Sequence, residues 1–230
     1  MNGVRFGNYH SYEDFGLILS SKTISFPKPK TEIVNVSHMN GVIDLTDAFD
    51  DDVKFENRKL QFKFTLLGKY GDFSSNLTRI SDIIHGQVFK IILDDDSTYY
   101  YEGRVSLNEF KTDKRTATIV FDCDVYPFKT DINSEAENWL WDTFSFVDGV
   151  IYKNILSVDG IRTETYVGGR EVVVPEFVCS SAMTVTFKSE TYNLKAGSNK
   201  MYGIRFIEGD NVLTFNGTGT VAVKYRRGVL

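Results

Sequence analysis

Histidine is scarce in this chain. There are three in 230 residues, His10, His38 and His85, far apart in sequence. A zinc site needs several nitrogen or sulfur ligands converging on one ion. With no His-Glu-x-x-His and no Cys-x-x-Cys pair, nothing signals such a site, and no cofactor is expected. Cysteine is scarcer still. Cys123 and Cys179 both sit in apolar, strand-like contexts that fit buried, reduced thiols. No Gly-x-Ser-x-Gly elbow occurs, so an esterase-type nucleophile has no support. Gly217-Thr218-Gly219 leads into a strand pattern, whereas a phosphate cradle needs a helix N-terminus behind it. No charged-then-apolar leader and no run of about 18 apolar residues is present. The expectation is a chain made and folded in a cytoplasm, without membrane insertion.

Charge of one sign is lacking too. The net charge is −5, with 26 Lys+Arg against 31 Asp+Glu. Residues 1–129 carry 16 basic and 19 acidic side chains, and residues 130–230 carry 10 and 12. Neither half is a basic module, so holding nucleic-acid phosphates is not the expected function. Only four prolines occur and no low-complexity tract, which argues against disorder.

What the chain has is aromatic residues, 18 Phe and 12 Tyr. Aromatic and β-branched residues suit a pleated, half-buried surface. Phe15, Leu17 and Leu19 fall at every second position, which is strand period. Leu60, Phe62, Phe64 and Leu66 alternate with Gln61, Lys63 and Thr65, which predicts a strand with one buried face. Val88–Leu93 and 98–105 read as a hairpin around Asp94-Asp95-Asp96. Residues 116–125 alternate again. One helix is predicted after Ser74 or Ser75, with Leu77, Ile80, Ile83 and Ile84 on one face and His85-Gly86 at its end.

The second half shows turn signals at roughly sandwich spacing, including Asp159-Gly160, Ala196-Gly197, Glu208-Gly209 and Asn216-Gly217. The expected class is mainly β. An N-terminal β domain with one short helix, 1–129, precedes an antiparallel β-sandwich, 130–230. Tyr126, Pro127 and Phe128 mark the joint. Proline cannot donate to a ladder and holds the preceding residue extended.

Acidic clusters are the candidate chemistry. Asp47, Asp50, Asp51 and Asp52 lack the glycine of a calcium loop, and three adjacent aspartates cannot all face one ion. They read as a solvated loop. Asp94, Asp95 and Asp96 read as turn residues whose side chains stand in for backbone acceptors. Two carboxylates at glycosidase spacing cannot be identified among 31 acids. Trp139 and Trp141 share a face and could stack on a sugar, with Tyr166 and Tyr202 adding aromatic surface. The alternative reading, as core anchors, weighs more. By residue chemistry the product of this chain is a surface and not a reaction.

One pattern runs the length of the chain. It includes Phe6-Gly7, Phe15-Gly16-Leu17, Pro27-Lys28-Pro29, Asn40-Gly41-Val42-Ile43-Asp44, Phe55-Glu56-Asn57-Arg58 and Ile84-His85-Gly86. Asp122-Cys123-Asp124-Val125-Tyr126-Pro127-Phe128-Lys129 closes the first half. In the second, Trp141-Asp142-Thr143-Phe144-Ser145-Phe146, Gly169-Arg170, Gly209-Asp210-Asn211 and Val223-Lys224-Tyr225-Arg226-Arg227-Gly228 follow in order. In order and spacing it resembles the distal tail protein family of long-tailed, non-contractile bacteriophages. It departs at Ser37-His38-Met39, where members often have Pro-Gly.

The resemblance implies a structural hub at the tail tip and not an enzyme. The N-terminal domains would form a homohexameric ring, and galectin-like C-terminal sandwiches would project from it. The implied partners are the tail tube protein, a tail-associated baseplate or fibre protein and a receptor-binding protein. DNA would cross the central channel only in transit, and the location would be the virion. Asp47, Asp50, Asp51, Asp52, Asp94, Asp95 and Asp96 are then candidates to line the channel. The runner-up is a carbohydrate-binding module using Trp139 and Trp141 to recognise host cell-wall sugars.

Overall fold

The computed structural model describes residues 3–46, 48, 52–67, 73–113, 115–132, 144–145, 150–151 and 155–230. The chain is mainly β, with several antiparallel sheets and, among the described residues, one α-helix. It divides into two compact units, Met1–Lys129 with Leu230, and Thr130–Val229.

The first unit is built on strands β1 (Val4–Phe6), β2 (Tyr9–His10), β3 (Leu17–Ile24), β4 (Ile33–Val34), β5 (Ile43–Asp44) and β6 (Arg58–Leu67). Helix α1 (Phe73–Ile84), β7 (Val88–Leu93), β8 (Asp96–Thr112) and β9 (Thr116–Val125) follow. Seven of these strands lie side by side in the order β2-β1-β7-β8-β9-β6-β3. The alternation read from the sequence decides which face is buried. Leu60, Phe62, Phe64 and Leu66 of β6 are buried, while Lys59, Gln61 and Lys63 between them are exposed. On β9, Ala117, Ile119, Phe121, Cys123 and Val125 point inward.

Phe6 lies at the centre of that core. Its ring is 5.4 Å from Phe121 and 6.1 Å from Phe62, centroid to centroid. The helix joins the core through Phe73, Ile80 and Ile84, with Leu77 and Ile83 packed beside it. It starts at Phe73, ahead of the two serines read as its cap. It ends on Gly86, whose φ of +77° is the left-handed conformation that glycine adopts freely.

The second unit contains the end of β10 (Lys129–Asp131), then β11 (Phe144–Ser145), β12 (Val150–Ile151), β13 (Leu156–Gly168), β14 (Glu176–Cys179) and β15 (Met183–Phe187). After them come β16 (Glu190–Leu194), β17 (Gly197–Lys200), β18 (Gly209–Lys224) and β19 (Gly228–Val229). Strand β18 organises the unit. It pairs with β13 along one edge. On the other edge it pairs with β15 through residues 213–217 and with β14 through residues 221–224.

Here the turn reading is corrected. Asp159-Gly160 and Asn216-Gly217 do not end strands; Gly160 sits directly opposite Gly217 inside the long β13–β18 pair. Gly217 and Gly219 have φ of 154° and 145°, and a side chain on either would strike Met183 or the Ser180 and Ser181 hydroxyls. Glycine at this point lets one strand serve two partners in succession. Gly197 and Gly209, by contrast, do begin strands as read.

Candidate functional site

Among the described residues no His, Cys, Asp and Glu grouping could hold a metal ion, and no helix is long and apolar enough to cross a membrane. The buried thiols are poor nucleophiles. Burial, then the Asp122 charge, pushes Cys123 up to about 12, and burial raises Cys179 as well. His10 is buried; its Nε2 lies 3.2 Å from Asp94, and its Nδ1 accepts the Glu13 N–H. The His85 Nδ1 accepts the Leu107 N–H at 3.0 Å. These histidines are occupied by structure.

The three turn aspartates are each claimed by a distant residue. Asp94 accepts the Gly3 N–H at 2.6 Å as well as facing His10. Asp95 is paired with Lys22, which holds its carboxyl below the usual range. Asp96 lies 2.6 Å from Lys129, whose ammonium also sits 4.3 Å from the centre of the Tyr99 ring. A local turn therefore ties together β1, β3 and the end of the unit. Asp52 pairs with Lys54 at 2.7 Å. Asp47, Asp50, Asp51, Trp139 and Trp141 lie outside the described residues.

Tyr126, Pro127 and Phe128 are fixed to the first unit. The Tyr126 N–H donates to Glu102 O at 2.8 Å; Tyr126 is half exposed, while Pro127 and Phe128 are buried. Phe128 meets Phe55 edge-on at 5.7 Å. Nearby in sequence, Arg58 is 2% exposed, and among the described residues its Nε and Nη2 have no hydrogen-bond partner. Its guanidinium faces the Tyr101 ring at 5.5 Å. A buried charge in that state costs stability.

Sequence reading missed the most unusual surface of this unit. Residues 28–34 form one side of a ribbon whose other side is residues 52–56 and then 43–46. Lys30 N donates to Lys54 O and Glu56 N to Lys28 O at its base, and β4 pairs with β5 further out. Every residue from 31 to 44 is exposed, including Ile33, Val34, Val36, Met39, Val42 and Ile43. Phe26, at the root, is 84% exposed. A short apolar run such as Ile33-Val34 reads as strand, and nothing in it says whether the strand is covered. The Asn40-Gly41 signal falls in a wide loop, with a turn closed by Met39 N and Val36 O.

In the second unit Tyr166 belongs to the core, stacked on Phe206 at 5.8 Å, whereas Tyr202 is 74% exposed. Two buried asparagines brace its turns in the same way. Asn199 takes the Lys195 N–H and donates to Lys195 O and Gly197 O. Asn211 takes the Ile207 N–H and donates to Ile207 O and Gly209 O.

These features define a class: a mainly β chain of two compact units with large exposed surfaces among its described residues. No protein-family model matches the chain, and no curated protein matches it. Among solved structures it is similar to SPP1 Dit (gp 19.1), described as a paradigm of the hub adsorption apparatus in phages infecting Gram-positive hosts. The TM-score is 0.63 at 10% sequence identity, covering 100% of both chains. At that identity the likeness establishes the fold alone.

Proposed function

We propose that this chain is a structural hub of a phage tail tip. Copies join through the first unit into a homohexameric ring, and the second unit projects as a galectin-like sandwich. Full-length likeness to a phage hub protein supports the reading. The observation that carries it is the ribbon of residues 31–44. An isolated two-stranded hairpin is marginal in water. This one leaves its apolar side chains exposed on its own chain. Laid on the next copy, each ribbon is covered and each body receives one. That contact is heterologous, and it ends in a ring when the rotation closes.

The ring would join the tail tube to the baseplate or fibre protein and to receptor-binding protein, in the virion and without enzymatic activity. Its channel would pass DNA. In this reading the loop at Asp47, Asp50, Asp51 and Asp52 and the turn at Asp94, Asp95 and Asp96 rim that channel. Tyr126-Pro127-Phe128 sets the direction in which the chain leaves the ring. Light scattering and negative-stain microscopy test the proposal. The full chain should give a six-fold ring. Replacing residues 31–44 by a short Gly-Ser link should give a folded single subunit. A one-subunit mass for the full chain at every concentration would overturn the ring.

A further inference from the structure

Three Asn-Gly pairs occur in the chain: Asn2-Gly3, Asn40-Gly41 and Asn216-Gly217. Asparagine is among the thermolabile side chains. Its amide carbon, Cγ, can be reached by the backbone nitrogen of the following residue. Closing that ring needs an unengaged nitrogen, backbone free to turn and no side chain in the way. Glycine meets the last need at all three pairs, and it takes conformations closed to other residues. The pairs differ in the other two needs.

The Gly3 N–H donates to the Asp94 carboxylate at 2.6 Å, so that nitrogen is engaged. Asn216-Gly217 lies inside β18. Ile161 and Gly160 of β13 stand opposite it on one side, and Thr184 and Met183 of β15 on the other. The Thr184 hydroxyl also donates to Asn216 O at 3.4 Å. Ring closure turns the peptide out of the extended geometry of a strand, so both pairings would have to open first.

Asn40-Gly41 carries none of these restraints. Both residues are exposed. Among the described residues neither takes part in a hydrogen bond. Gly41 has a φ of +84°, and nothing lies within 4 Å of the point where a side chain would begin. Strand pairing resumes only at Ile43, opposite Val34. The loop between can therefore rearrange without breaking a ladder.

We propose that Asn40 is a site of spontaneous covalent modification, with Gly41 as the nucleophile. The Gly41 nitrogen bonds to Asn40 Cγ. The bond from Cγ to the side-chain nitrogen breaks, and that nitrogen leaves as ammonia, carrying the Gly41 proton. Water then opens the resulting succinimide. Addition at the former side-chain carbonyl gives aspartate. Addition at the backbone carbonyl gives isoaspartate, whose main chain runs through Cγ. Either product places a carboxylate between the exposed Met39 and Val42 of the ribbon. The reaction belongs to the separate subunit, and the inference is independent of the ring.

The test is peptide mapping by mass spectrometry after the full chain has stood in warm, mildly alkaline buffer, at a dilution where light scattering gives the mass of one subunit. A parallel sample in urea supplies the rate of each pair in the unfolded chain. Folded Asn40 should react within roughly threefold of its unfolded rate, whereas Asn216, which must wait for local opening, should be slowed at least ~tenfold. Aspartate and isoaspartate should both appear at position 40. Gly41→Ala puts a methyl group beside the attacking nitrogen and should slow Asn40 at least ~tenfold, with a thermal melt confirming that the variant folds. Asn40 protected as strongly as Asn216 overturns the proposal. So does an undiminished rate in Gly41→Ala, or aspartate without isoaspartate, since either would mean that water attacks the side chain directly.

Discussion

The outward sheet faces of the two units are opposites. In the first unit, Thr23, Gln61, Asp122 and Ser106 form one cross-strand row, and Lys59 faces Asp124 in the next. These groups interlock. Lys59 pairs with Asp124, Gln61 and Asn108 donate to the Asp122 carboxylate, and the Ser106 hydroxyl donates to the Asp122 backbone oxygen. They line an open cleft of about 420 Å³. In the second unit two cross-strand rows, Thr163–Thr214–Thr186–Thr191 and Ile161–Asn216–Thr184–Asn193, carry no charge, and Asp159 and Asp210 stand on the same face only towards the ends of the β13–β18 pair. Inside, the two units agree: both cores are aromatic rings packed edge-on and tilted among aliphatic side chains. Burial constrains the inner face of a strand to apolar residues. The outer face is freer, so its composition carries more information about what the surface meets.

The agreement of the two interiors is the part easiest to break. Phe6 is fully buried against Phe62, Phe64 and Phe121. Phe206 is fully buried against Tyr166, Phe187 and Tyr225, the last at 4.9 Å. Each, changed to alanine, should lose about 3–5 kcal/mol through lost transfer energy and the cavity left behind. Urea unfolding of the two variants measures both. A loss under about 1 kcal/mol in either would mean that one core is not sealed as described.

The turn braces sharpen the comparison within the second unit. Asn199 and Asn211 make matching bonds 12 residues apart, each following a glycine with φ near +90°. Either asparagine changed to alanine removes the acceptor of a partly buried hydrogen bond from the N–H of Lys195 or Ile207, at a cost of about 0.5–1.5 kcal/mol. Similar losses from Asn199→Ala and Asn211→Ala would establish them as equivalent supports. A loss for only one would make the other turn self-sufficient.

Strands β6 and β9 were legible in the sequence, because period-two alternation over ten residues leaves one choice of buried face. The helix was legible for the same reason at period 3.6, although Phe73 as its first buried residue was not. The β13–β18 ribbon was misread, since Asp-Gly and Asn-Gly signal a turn unless two glycines face each other across strands. The threonine face was invisible, because Thr163, Thr186, Thr191 and Thr214 become neighbours only through strand register. The turn aspartates were legible as local structure. Their partners Gly3, Lys22 and Lys129 were not, being 33 to 91 residues away.

The smallest expected effect separates the first unit from the rows of the second by acid. Asp95 is held below its ordinary value of 3.8 chiefly by the hydrogen bond from Lys22, and Asp124 chiefly by that from Lys59. A carboxyl with a lowered folded pKa adds stability above the unfolded pKa, and that stability fades as pH falls through the folded value. The first unit should therefore lose these two pairs below about pH 4, while the rows of the second unit have nothing to titrate. Both pairs are partly exposed, so the energy is small and salt will reduce it further. Carboxyl-carbon NMR titration reads the effect directly. The Asp95 and Asp124 midpoints should lie below 3.8, and Lys22→Met should raise that of Asp95 while leaving Asp124 unchanged. An Asp95 midpoint at or above the ordinary value in the unaltered chain would mean that the Lys22 pair does not persist in solution. The acid response expected of the first unit would then rest on Lys59 and Asp124 alone.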